Sequence, residues 1–113
     1  MKGEKMTLKE KIHQRNQKQG ATNFKNGMNY EFEILARERK KALFAIRSAG
    51  SHSIIDIVAV RDNETRLLSI RKNGTWITKE IEDLLDLQEK APENHNVYLV
   101  YKEGKNTKYE QVK

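Results

Sequence analysis

The sequence predicts an α/β domain: a mixed five-stranded sheet flanked by helices, in the order α-β-β-β-α-β-β. Two segments carry apolar residues at helical spacing. The first has Met28, Phe32 and Leu35 beside Tyr30 and Ile34; the second has Ile77, Ile81, Leu84 and Leu85, with Gln88 on the same face. Short runs rich in β-branched and aromatic residues lie between turn signals, three before the second helical segment and two after it. Runs of strands interrupted by helices place helices on the faces of a sheet. The 113 residues suffice for one small domain with a thin core.

Residues 1–24 read as a basic N-terminal arm, and residues 25–113 as the folded domain. Within the arm, Thr7 and Glu10 have capping-box spacing, but Leu8 and Ile12 make a stripe too narrow to dock firmly. Residues 17–26 are polar and contain glycine, as a linker does. The first domain helix is expected over 26–41 and the first strand over 43–47. A loop of small residues, 48–53, leads to a second strand over 54–60. Asp62 and Asn63 supply a turn, a third strand follows over 66–71, and Asn73-Gly74 ends it. Thr78 is the expected cap of a helix reaching about residue 90, whose polar face holds Glu80, Glu82, Asp83, Asp86 and Glu89; Pro92 stops it. The apolar run 96–102 suits an internal strand, and the lysine-bearing run 107–112 an edge.

Composition narrows the function. Cysteine is absent, which removes disulfides and thiolate zinc sites. No apolar run reaches the ~18 residues of a membrane span, and the charged first residues lack a signal-peptide core. A soluble cytoplasmic protein is expected. Phosphate-loop, zinc-protease and dinucleotide-binding glycine motifs are missing, so no small-molecule cofactor is expected. Net charge is +6, and it is polarised: residues 1–25 hold seven Lys/Arg against two Glu, whereas residues 78–93 hold six acids against two Lys. Such polarity suits a polyanion met on one side, although a merely solvated surface explains composition equally well.

The chemistry centres on Asp56. It lies inside Ile54-Ile55-Asp56-Ile57-Val58-Ala59-Val60, where a lone carboxylate is costly unless it is paired or binds a metal. Phosphodiester cleavage uses a divalent cation, and magnesium takes hard oxygen ligands from one or two carboxylates. A helix Glu, a strand Asp and a Glu-x-Lys on the next strand can converge on such an ion, since strand residues two apart share a face.

Gly27-Met28-Asn29-Tyr30-Glu31-Phe32-Glu33, followed by the stretch from Phe44 through Arg47-Ser48-Ala49-Gly50-Ser51-His52 to Asp56 and Ala59, resembles the archaeal-type Holliday-junction resolvases. These belong to the PD-(D/E)XK nuclease superfamily, and the resemblance covers about residues 25 to 113. It implies a restriction-endonuclease-like fold and a homodimeric endonuclease acting on branched double-stranded DNA. It further implies Mg2+, or Mn2+, as cofactor if the protein is active. Carried over by position, Glu31 and Asp56 are metal-site residues, and Arg47, Ser48, Ser51 and His52 lie along the DNA-facing loop.

The family's Glu-x-Lys falls on Ser69-Ile70-Arg71. Ser69 is at best a neutral ligand; Arg71 keeps the charge and can clamp phosphate, but it cannot exchange a proton near neutrality. A register shifted by one brings Lys72 into the lysine position, at the cost of placing Ile70 at the carboxylate. The unshifted register is preferred, with Lys72 kept as a DNA contact. Two readings stay open: a structure-selective endonuclease, with Glu33 or Glu64 recruited to the metal, and a noncleaving DNA-binding or assembly protein on the same scaffold. A protein-binding dimer is a more remote third. Trp76 is expected to cover the sheet edge or join a dimer contact, with base stacking as the alternative. Arg37, Arg39, Lys40 and Lys41 suit either a DNA backbone or a solvated helix end.

Overall fold

The structure, a computed structural model, describes residue 8, residues 24–48 and residues 53–113. From residue 24 onward the described residues form an α/β arrangement with a five-stranded mixed sheet: α1 (Phe24–Arg39), β1 (Phe44–Arg47), β2 (Ile57–Val60), β3 (Thr65–Ile70), α2 (Thr78–Lys90), β4 (His95–Glu103) and β5 (Asn106–Gln111). The strands lie in chain order across the sheet. Neighbours are antiparallel except β3 and β4, which run parallel with Leu68 beside Tyr98. A parallel pair needs a long crossover, and α2 supplies it.

Side-chain alternation along the strands divides the core into two. Ala45, Ile57, Ala59, Leu68, Ile70 and Val100 pack with Tyr30, Ile34 and Leu35 of α1. Val97 and Leu99 pack on the other face with Trp76, Ile81 and Leu84, the last two from α2. The helices therefore cover opposite faces, a three-layer arrangement. Burying Leu84 or Ile34 completely is worth roughly 1.5–3 kcal/mol each. Leu8, helical and half-buried, packs on the α2 side.

Element positions agree with the sequence to within a few residues, but several side chains turn elsewhere. Phe32 was expected on the buried stripe of α1 and is 50% exposed. Ile77 was expected on the apolar face of α2; instead it is the N-cap and is exposed. Its N–H donates to Glu80 Oε1 at 3.0 Å, one half of a capping box, since isoleucine has no oxygen to return. The expected cap, Thr78, is already the first helical residue. Gln88 ties the far end of α2 to the sheet by donating to His95 O and accepting from Val97 N–H. Gly104, at φ +63°, makes the sharp β4–β5 connection in a conformation glycine adopts without strain.

The α1 face also buries charge. Glu38 is 2% exposed and accepts from Arg61 Nη2 at 2.9 Å, from Arg66 Nη1 at 3.3 Å to both oxygens, and from the Tyr109 hydroxyl at 3.3 Å. The Arg66 guanidinium lies between the rings of Tyr98 and Tyr109, 4.5 and 4.8 Å from their centroids.

Candidate functional site

Asp56 sits one residue before the β2 ladder, with its backbone still bridged on both sides. Ser48 N–H donates to its carbonyl and its own N–H donates to Leu68 O, each at 2.8 Å. The ladder ends with Ile57 paired to Leu68, and the Asp56 N–H bonds to that same Leu68 carbonyl, so the regular pairing stops at Asp56. Alternation along β3 puts Ser69 with Leu67 on the α2 face, Arg71 continues that face, and Asp56 meets Arg71 there.

Within this arrangement, Asp56 Oδ2 accepts the Ile70 N–H at 2.7 Å and the Arg71 Nη1 at 3.4 Å. Arg71 Nη2 reaches Glu80 Oε2 at 2.8 Å, and Nη1 also donates to Ile70 O at 2.8 Å. One guanidinium thus bridges two carboxylates from different elements. Burial pushes the Asp56 carboxyl up from the ordinary range to about 6. The Ile70 N–H and Arg71 pull against that rise, while the charges of Glu31 and Glu80 add to it.

Glu31 belongs to α1, on the opposite face, and is near enough for its charge to act on Asp56. Its Oε1 accepts from Arg47 Nε at 3.2 Å, and Arg47 also lies over the Phe32 ring, 4.7 Å from the centroid. Arg47 is thereby turned toward α1 at the end of β1. Ser48 serves Asp56 through its backbone N–H. Lys72 is half-buried, and its carbonyl accepts the Lys102 N–H at 3.0 Å. Ser51 and His52 lie outside the described residues.

Ser69 faces the right side of the sheet but bonds elsewhere. It is 1% exposed, and its hydroxyl accepts the Trp76 indole N–H at 2.9 Å. Trp76 is itself 1% exposed and meets Tyr101 edge to face, with ring centroids 6.2 Å apart. This indole is core, not a stacking platform for bases. Glu33 and Glu64 do not join the site: Glu33 pairs with Arg37 one turn along α1, and Glu64 accepts from Asn96 and Tyr98. Of the basic residues ending α1, Arg39 donates to Ala45 O while Lys40 and Lys41 are exposed.

Glu80 is the site residue that the sequence left on the solvated face of its helix. Its position three residues after the N-cap was the available signal, because a first-turn carboxylate points back along the chain that enters the helix. That chain comes directly from Arg71. Among the described residues no group of three or more His, Asp or Glu side chains is placed to hold a metal ion. No described helix is long and apolar enough to cross a membrane. Comparison with protein-family models, curated proteins and solved structures finds no match to this chain.

Proposed function

We propose that this protein binds branched double-stranded DNA as a homodimer, on a restriction-endonuclease-like scaffold, without cutting it. The observation that carries the noncleaving reading is Ser69: the strand opposite Asp56 offers a buried hydroxyl bonded to Trp76 where a cutting site needs a second carboxylate. Support for DNA comes from the resemblance of residues 25 to 113 to the junction resolvases and from the net charge of +6. A two-fold dimer presents two equivalent sites to two strands. Phe44 and Ile46, two apart on edge strand β1 and both about half exposed, are apolar surface suited to such a contact. The cysteine-free chain suits a cytoplasmic setting.

A second reading, a divalent-metal endonuclease, is favoured by the electrostatic convergence of Glu31 and Glu80 on Asp56. Competition gel shifts with a four-way junction against linear duplex test what the two readings share. The expected result is junction preference that falls as salt rises. Equal competition by linear duplex removes both and leaves the protein-binding dimer. Strand analysis then separates them. Intact strands with wild type, and cutting gained only in Ser69→Glu/Arg71→Lys, support the noncleaving reading. Wild-type cutting abolished by Asp56→Asn supports the enzyme.

A further inference from the structure

We infer that Arg71 is a built-in counter-cation that closes the Asp56 site to divalent metal by occupying the position between its carboxylates. The inference deepens the noncleaving reading of the same site. Its test contains no DNA, so its failure is distinguishable from failure of the DNA reading.

The donor set argues against a resident ion. A hard divalent cation needs several oxygens directed at one point, most of them from carboxylate or water. Here Asp56 Oδ2 already serves the Ile70 N–H and Arg71, and both oxygens of Glu80 are engaged, Oε1 by the Ile77 N–H and Oε2 by Arg71. The side-chain oxygen that the neighbouring strand offers, Ser69 Oγ, is buried against Trp76. Glu31 is held by Arg47.

Arg71 is also anchored in a way that resists displacement. Its guanidinium meets three acceptors: Asp56 at 3.4 Å, Glu80 at 2.8 Å and the Ile70 carbonyl at 2.8 Å. Arginine stays charged at any physiological pH, so it cannot yield its place by losing a proton as a lysine can. Its planar fork spans two carboxylates, whereas an ammonium is a single point of charge. A divalent ion arriving between Asp56 and Glu80 must expel a cation that remains cationic. It must also leave that cation beside itself, in a site one-third exposed at most. Like charges at that separation in a partly desolvated site repel strongly.

Removing the guanidinium should therefore create metal affinity that the natural protein lacks. The experiment is a Mn2+ titration of the full chain at neutral pH, read by loss of the free-ion EPR signal and by thermal unfolding. For wild type, the expected result is no saturable binding and a melting temperature unmoved by Mn2+ or Mg2+. For Arg71→Gln, Mn2+ binding should become saturable, at least about tenfold tighter than the weakest binding the titration detects, and the ion should raise the melting temperature, because a ligand bound only to the native state stabilises it. That gain should be lost in Arg71→Gln/Glu80→Gln. Saturable Mn2+ binding by wild type that disappears in Asp56→Asn overturns the inference, and this arm needs no Arg71 variant to fold. A folded Arg71→Gln that binds no tighter than wild type overturns it equally.

Discussion

Two clusters of carboxylate and arginine lie on opposite faces of one sheet, and they are built to different standards. On the α1 side, Glu38 accepts from Arg61, Arg66 and Tyr109, with Arg66 held between two tyrosine rings. On the α2 side, Asp56 has one backbone N–H and one long contact to Arg71, and two further carboxylates act against it. The first carboxylate is surrounded by donors; the second is under-compensated and pushed to about 6. The Tyr109 hydroxyl, pushed up to about 12 by burial and then by the Glu38 charge, keeps its proton and donates. A buried carboxylate enclosed by donors holds layers in register, although the Nε of Arg61 and of Arg66 is itself buried without a hydrogen bond; an under-compensated carboxylate at a strand end is where chemistry or ligand binding is usually found.

The largest expected effect is at Glu38. Glu38→Gln removes the charge shared by Arg61 and Arg66 and should cost about 3 kcal/mol in urea or thermal unfolding, the low end for a broken buried pair because Arg66 keeps Glu64 at 3.6 Å and Arg61 is partly exposed. Glu80→Gln, at a quarter-exposed ion pair, should cost about 1 kcal/mol, because solvent screens what it loses. Equal losses at the two positions would erase the distinction between the clusters.

The next effect is on pH dependence. Native Asp56 holds its proton up to about pH 6, whereas the unfolded chain releases it near the ordinary value of 3.8. Between those values the native state binds more protons, so stability falls as pH rises through the window. The cost is fully present above the native value and amounts to at most roughly 3 kcal/mol. Asp56→Asn should remove that fall from the stability profile between pH 4 and about 6. A variant whose profile parallels wild type would show that Asp56 is not the under-compensated group.

Smaller still is the bond that takes Ser69 out of the site. Trp76→Phe leaves the buried Ser69 hydroxyl without its donor and should cost about 1 kcal/mol beyond the lost packing. A double-mutant cycle with Ser69→Ala should return a coupling of similar size. Zero coupling would free Ser69 to face Asp56. Lys90→Ala, which breaks an exposed pair with Asp86, should change stability by less than about 0.5 kcal/mol and serves as the surface reference.

Much of the framework was legible because periodicity is local. The helix over Thr78–Lys90 and the order of strands follow from apolar spacing and turn residues. The common face of Ser69 and Arg71 follows from alternation along the third strand. What escaped depends on which element packs beside which. Glu80 enters the site because α2 begins directly beside the end of β3, a juxtaposition no helical wheel displays. Trp76 fills the α2-side core since Gly74, at φ +73°, turns the chain inward just before it. Ile77 loses its expected burial by becoming the cap of the helix it was thought to line. The Glu38 network was invisible for the same reason: its partners lie 23, 28 and 71 positions away.

The most direct test of the account is strand integrity. Wild-type protein in excess over a labelled four-way junction, incubated with Mn2+ and resolved on a denaturing gel, should bind the junction and leave every strand intact. Nicks that appear with wild type and vanish with Asp56→Asn would contradict the account, because they would require a working metal site where Arg71 and Ser69 are placed.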